Sequence, residues 1–171
     1  EQDADNKVAL RNLSMVYRML TTSSTGEAID AEERKKNFKQ SIALATKAIS
    51  HDLKDSQSWY VLGNAHLTNF FQNNESTKEL ESAIIAYAQS EKNMNEANPD
   101  LFYNRGTVLE YLERYNEAVN DFTKASQIDP QLDGDKKCEK IIGFVSRAYN
   151  SIVNKGRLKT NKIIDMVKSI P

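Results

Sequence analysis

The sequence predicts an all-α solenoid: about three stacked helix pairs closed by a C-terminal capping helix. Three observations predict it. A spacing of large apolar, small and aromatic residues recurs along the chain. Helix breakers are scarce, with six Gly and three Pro among 171 residues, too few for the turns of an all-β protein of this length. Between the breakers, apolar residues return at the helical period and leave charged faces on the other side.

The first pair is expected at about residues 7–54. Leu10, Leu13, Ser14 and Tyr17 take the first-helix places, and Ser41, Ala45 and Ala48 those of the second. The polar run TTSSTGEAID reads as the loop between them. The second pair, at about 55–98, places Trp59, Leu62 and Gly63 on its first helix and Ala83, Tyr87 and Ser90 on its second. Its extra polar stretch FQNNESTK predicts a surface loop, and His66, Trp59 and the later aromatics read as core. Asp55 and Ser56 are suited to capping the helix that carries Trp59.

The third pair, 99–132, is the clearest. Phe102, Gly106, Ala118, Phe122, Ala125 and Pro130 stand at the intervals of the tetratricopeptide repeat. Small residues let two antiparallel helices approach closely, aromatics fill the space between pairs, and Pro ends the second helix. Asn98-Pro99-Asp100 supplies a cap, a first-position Pro and a first-turn acid. Beyond it, KKCEKIIGFVSRAYNSIV forms an amphipathic stripe expected to cap the last repeat at 136–154. Residues 155–171 read as a basic linker, KGRLKTNK, and one more short helix, IIDMVKSI. The chain opens on Glu1 rather than Met and is expected to be a fragment of a longer protein.

In stacked pairs the first helices line the concave side. The concave positions include Arg11, Asn12, Met15 and Arg18 in the first copy, and Tyr60, Val61, Asn64 and Leu67 in the second. In the third they include Asp100, Tyr103, Asn104, Thr107, Glu110 and Tyr111. Asn12, Asn64 and Asn104 form a row able to donate to and accept from an extended peptide backbone. The charge is split, with Arg11 and Arg18 at one end and Asp100 and Glu110 at the other. Such a groove suits a ligand bearing one basic and one acidic side chain. Asp100 also complements its own helix dipole, which needs no ligand.

Other classes find little support. The net charge of −1 provides no global field for nucleic acid or membrane, so any attraction has to be local. No apolar run reaches membrane-spanning length. Cys138 is the only cysteine and His51 and His66 the only histidines, so no disulfide or metal-ligand spacing arises. No phosphate loop or nucleophile elbow is present, and no enzyme or cofactor is expected. A chaperone-tail clamp needs a Lys where Asp100 stands and Asn where Met15 and Val61 stand. A doubly acidic tail would therefore meet a like charge.

The segments NKVALRNLSMVYRML, SWYVLGNAHL, AYAQSEK, NPDLFYNRGT and KGRLKTNKIIDMVKSI resemble, in order and along nearly the whole chain, the family of tetratricopeptide repeat protein five, also called Strap. The resemblance implies further repeats upstream and an OB fold downstream. It implies a ribosome-associated, cytoplasmic factor that recognises the nascent α- and β-tubulin N-termini, Met-Arg-Glu followed by Ile or Cys. Such a factor recruits an adaptor to the deadenylase machinery, and tubulin mRNA decays. A second role, as a nuclear stress-response transcription cofactor, is the alternative that the family implies.

Carried over by motif, Arg18 matches the base that holds the tubulin Glu and Asp100 the acid that holds the tubulin Arg. Where the family has another acid just after Pro130, this chain has Gly134 flanked by Asp133 and Asp135. Lys159 matches one of two lysines directed at ribosomal RNA. The other falls on Asn161 beside Lys162, in a run that also holds Lys155 and Arg157.

Overall fold

The computed structural model describes residues 6–20, 30–73 and 77–153. Among the described residues the regular structure is entirely helical: α1 (Lys7–Met19), α2 (Ala31–His51), α3 (Ser56–Asn73), α4 (Thr77–Asn93), α5 (Pro99–Tyr111), α6 (Tyr115–Ile128) and α7 (Gly134–Val153), with a 3-10 turn at Pro130–Leu132. Successive helices pair as α1–α2, α3–α4 and α5–α6, and α7 packs on α6. The chain is an all-α solenoid of tetratricopeptide type. None of its described helices is long and apolar enough to cross a membrane. The expected basic linker and final short helix lie outside the described residues.

The starts follow from side-chain capping. Asn6 accepts from the amides of Val8 and Ala9 at 2.9 and 3.4 Å, and Asn98 from Leu101 at 3.3 Å, with Pro99 in the first helical turn. Each satisfies a donor that the first turn leaves orphaned.

The pairs close on a matched set of small and large residues. A Cβ built on Gly63 would lie 2.6 Å from the Tyr87 ring, and one on Gly106 3.0 Å from Phe122. Only hydrogen fits opposite these fully buried rings. In the first pair both partners change together. Ala45 stands where the aromatic would be, and Ser14 replaces the Gly. The Ser14 hydroxyl donates to the Ser41 carbonyl at 2.8 Å, and Ser41 donates back to the Ser14 carbonyl at 2.9 Å. Two hydroxyls thus do in α1–α2 what a ring against a glycine does in the later pairs.

Three expectations need correction. The stretch FQNNESTK is mostly not a loop: Phe71–Asn73 extend α3 and Thr77 already begins α4. Phe70 explains the added turn, since it is buried beside Leu80 and Leu101. Trp59 is only half-buried, packing on one face while its indole N–H donates to the Leu53 carbonyl at 2.9 Å. His66 is not purely a core filler, because its Nδ1 lies 2.7 Å from the Glu79 carboxylate.

The back of the stack is tied by ions. Arg105 on α5 donates through Nε and Nη2 to Asp121 of α6 at 2.6 and 2.9 Å, and through Nη1 to Glu91 of α4 at 2.6 Å. Asp121 is buried, and a charge in that position requires its partner. At the C-terminal end, α7 buries only Gly134, Cys138 and Ile141. Its later apolar residues, Ile142, Phe144, Val145, Tyr149 and Ile152, stay exposed.

Candidate functional site

α3 neighbours both α1 and α5, so the first helices of the three pairs form one face. Along α3 that face carries Tyr60, Asn64 and Leu67, and along α5 it carries Asp100, Asn104 and Thr107, spaced to stack on one side of each helix. The floor is a hydrogen-bonded polar network. Asn64 Oδ1 accepts from the Tyr87 hydroxyl at 2.7 Å and from the Asn104 side-chain amide at 2.9 Å. Tyr60 and Tyr87 hold their rings 6.3 Å apart in a tilted contact.

Tyr60 is where the opposed charges meet. Burial pushes its phenol pKa up, its hydrogen bond with Asn64 pulls it down, Asp100 raises it and Arg18 lowers it. An acid on α5 and a base on α1 thus act with opposite sign on one hydroxyl of α3. Arg18 itself is half-buried. Burial draws its pKa down, and the nearby Tyr87 and Tyr60 oppose that. A guanidinium remains protonated under such a shift, but it has lost hydration that an anionic ligand would otherwise have to strip away. Asp100 is exposed in the first turn of α5.

The remaining expected residues divide. Arg11 points its Nη1 at Asp55 Oδ2, 2.5 Å away, with both side chains largely covered. It locks α1 to the start of α3, where sequence spacing had put it in the groove. Asn64 and Val61 are buried instead of lying on an open wall, and Asn64 bonds Asn104 directly. The row of three asparagines is therefore one joined pair plus the exposed Asn12 on α1.

Asp133 and Asp135 are both exposed. Asp133 takes the left-handed conformation at φ 55° and pairs with Lys136 at 2.8 Å. The Asp135 amide donates to Ser126 Oγ at 2.9 Å. Between them Gly134 is buried, and a Cβ there would lie 2.3 Å from the Phe122 carbonyl oxygen. No acid fits at Gly134 while α7 packs this closely on α6. Lys155, Arg157, Lys159 and Lys162 lie outside the described residues.

Tyr60 and Tyr87 are the site residues that spacing alone understated. The available signal was register. Tyr60 precedes Asn64 by one helical turn, and Tyr87 occupies the aromatic place facing Gly63. Among the described residues no cluster of His, Cys, Asp or Glu is arranged to hold a metal ion.

A sequence profile described as Tetratricopeptide repeat matches residues 99–132. Among curated proteins, Tetratricopeptide repeat protein 5 of Bos taurus is 36% identical over 168 residues, and the Mus musculus protein of that name 37% identical over 168 residues. The Homo sapiens protein is 36% identical over the same length. Each match covers 96% of this chain, and the chain spans 37% of each relative's length. Among solved structures, two entitled crystal structures of MamA have TM-scores of 0.46 and 0.48 at 14% and 17% identity. They cover 90% and 89% of this chain, and 96% and 94% of their own.

Proposed function

The chain is a tetratricopeptide-repeat protein and a relative of tetratricopeptide repeat protein 5, and on that premise we propose that it reads the first residues of nascent α- and β-tubulin, Met-Arg-Glu followed by Ile or Cys, at the ribosome. A protein-interaction scaffold of this kind acts by holding a peptide and presenting the complex to a partner. Here the partner is an adaptor that brings deadenylases to tubulin mRNA, which places the work in the cytoplasm.

One observation carries this reading: α3 packs against both α1 and α5, which bring Arg18 and Asp100 near its Tyr60 from opposite sides. Consecutive side chains of an extended peptide point in opposite directions. In Met-Arg-Glu, the Arg and the Glu therefore diverge toward opposite walls. A groove with an acid on one wall and a base on the other receives that order and rejects the reverse by like-charge contact. Asn104 and Tyr60 lie between, with polar atoms for the peptide backbone.

The isolated contact is weak. An exposed ion pair contributes roughly 0.2–1 kcal/mol, and ordering the peptide and its side chains opposes binding. A second attachment compensates. The basic run 155–162 is proposed to meet ribosomal RNA, holding the groove near the emerging chain at roughly millimolar effective concentration.

Calorimetry tests the groove. Asp100→Lys abolishes binding of Met-Arg-Glu-Ile and partly restores it for Met-Glu-Glu-Ile. Normal binding of the native peptide by Asp100→Lys removes the assignment.

A further inference from the structure

α3 and α5 touch a second time, at the other end of their seam from Asp100. Phe70, Phe71 and Tyr111 meet edge to face. The ring centroids lie 5.3 Å apart for Phe70–Phe71, 4.9 Å for Phe70–Tyr111 and 5.6 Å for Phe71–Tyr111, at interplanar angles of 79°, 75° and 90°. Phe70 is buried, whereas Phe71 is 46% and Tyr111 56% exposed. The turn that bears Phe71 is an overhang, for α3 has 18 residues where α1 and α5 have 13.

Register places this ledge on the candidate groove. Phe71 follows Tyr60, and Tyr111 follows Asp100, by about three helical turns on the same helix face. We propose that the ledge is a second subsite of that groove, taking an apolar side chain from the same extended peptide. The inference rests on the reading of Arg18 and Asp100 given above and extends it from a charge reader to a reader of charge plus an apolar anchor.

Length fits. Three turns of helix rise about 16 Å, which an extended chain covers in about five residues. A tetrapeptide therefore stops short. The anchor is the residue six positions beyond the one that meets Asp100, the first within reach whose side chain returns to the same wall. The rings are already fixed by their mutual edge contacts, so an incoming side chain need not order them. A second copy of the chain is a poorer occupant. Two partly exposed rings are far below the roughly 800 Å² per partner of a stable interface, whereas a single leucine side chain needs no more than such a surface.

The test is fluorescence anisotropy with labelled Met-Arg-Glu-Ile-Gly-Ser-Gly-Leu-Gly and with the same peptide carrying Ser in place of Leu. Wild type binds the leucine peptide about three- to tenfold tighter. Phe71→Ser and Tyr111→Ser, both at exposed positions, each remove the difference while leaving affinity for the serine peptide unchanged. Equal affinity of the two peptides for wild type overturns the proposal, as does a preference that survives in both variants. A Phe71→Ser protein that sediments as a smaller species than wild type assigns the ledge to self-association and overturns it too. The tubulin reading is scored separately, with the Arg and Glu exchanged in both peptides. If the exchanged peptides bind as well as the native order, that reading fails. A leucine preference retained there keeps the ledge.

Discussion

Asn104 donates its side-chain amide to Asn64 at 2.9 Å, and the same acceptor oxygen takes the Tyr87 hydroxyl at 2.7 Å. One buried atom thus joins α3, α4 and α5. The consequence is asymmetric. Asn64→Leu strands a fully buried Tyr87 hydroxyl and costs about 2–3 kcal/mol in urea unfolding. Asn104→Ala opens a half-buried place that water refills, and costs about 1 kcal/mol. Adding Tyr87→Phe to Asn64→Leu recovers part of the loss. A double variant no more stable than Asn64→Leu alone would contradict the network.

Gly63 and Gly106 differ in the clearance opposite them. Both alanine substitutions destabilise by about 1–3 kcal/mol through overpacking, Gly63→Ala more, because its Cβ would be 2.6 Å from a ring against 3.0 Å at Gly106. Gly63→Ser with Tyr87→Ala recreates the Ser14–Ala45 arrangement of the first pair. Its thermal midpoint falls by less than the sum of the two single losses. Additive losses would sever the link between the glycine and the ring.

Asp55 predicts an acid-dependent difference. Burial raises its pKa, but hydrogen bonds from Ser58 and Arg11 and the charges of Arg11 and Lys7 outweigh it and leave the carboxyl below its ordinary value. A depressed carboxylate stabilises the fold above its unfolded pKa, and that contribution disappears as pH falls through the folded one. Asp55→Asn is therefore less stable than wild type at pH 7, by about 1–2 kcal/mol, and the gap narrows below about pH 4. Denaturant midpoints from pH 7 to pH 2 measure it. A constant gap would mean the residue acts by shape alone.

The basic run gives a prediction about salt. If Lys155, Arg157, Lys159 and Lys162 all meet phosphates, ribosome affinity falls with log salt at a slope near −3, taking about 0.7 per contact. Lys159→Glu with Lys162→Glu loses co-sedimentation with ribosomes translating tubulin and still binds free peptide. Equal sedimentation of the two proteins at every salt concentration would return the run to a plain linker.

Fold class was legible because Gly106, Ala118, Phe122 and Pro130 answer a steric demand that leaves few substitutes. Spacing also put Arg18 and Asp100 on the same face. It could not rank their neighbours. Arg11 belongs to the same periodic stripe as Arg18, yet whether a guanidinium faces a groove or a neighbouring carboxylate depends on Asp55, 44 positions away. Asn64 looked like surface because its type is usually solvated, and only the packed Tyr87 explains its burial. The FQNNESTK stretch read as a loop because its polarity outweighed Phe71, whose ring contact with Tyr111 forms only in the fold.

The ions behind the groove bear on how the stack comes apart. Glu91 belongs to the second repeat, and Arg105 and Asp121 to the third. Repeat proteins melt as chains of neighbours whose cooperativity lies in the boundaries. Peeling the second repeat away takes one of two carboxylates from Arg105. Fraying α6 leaves that guanidinium short of charge and uncovers Asp121. Neither repeat leaves alone without an electrostatic penalty on the other, so the two behave as one cooperative block. The α1–α2 pair meets that block through the Arg11–Asp55 bridge and the packing of Ala45 and Ile49 on Val61 and Leu62. Arg11 holds one carboxylate at this outer boundary where Arg105 holds two at the inner one, so the outer boundary is the seam that parts first.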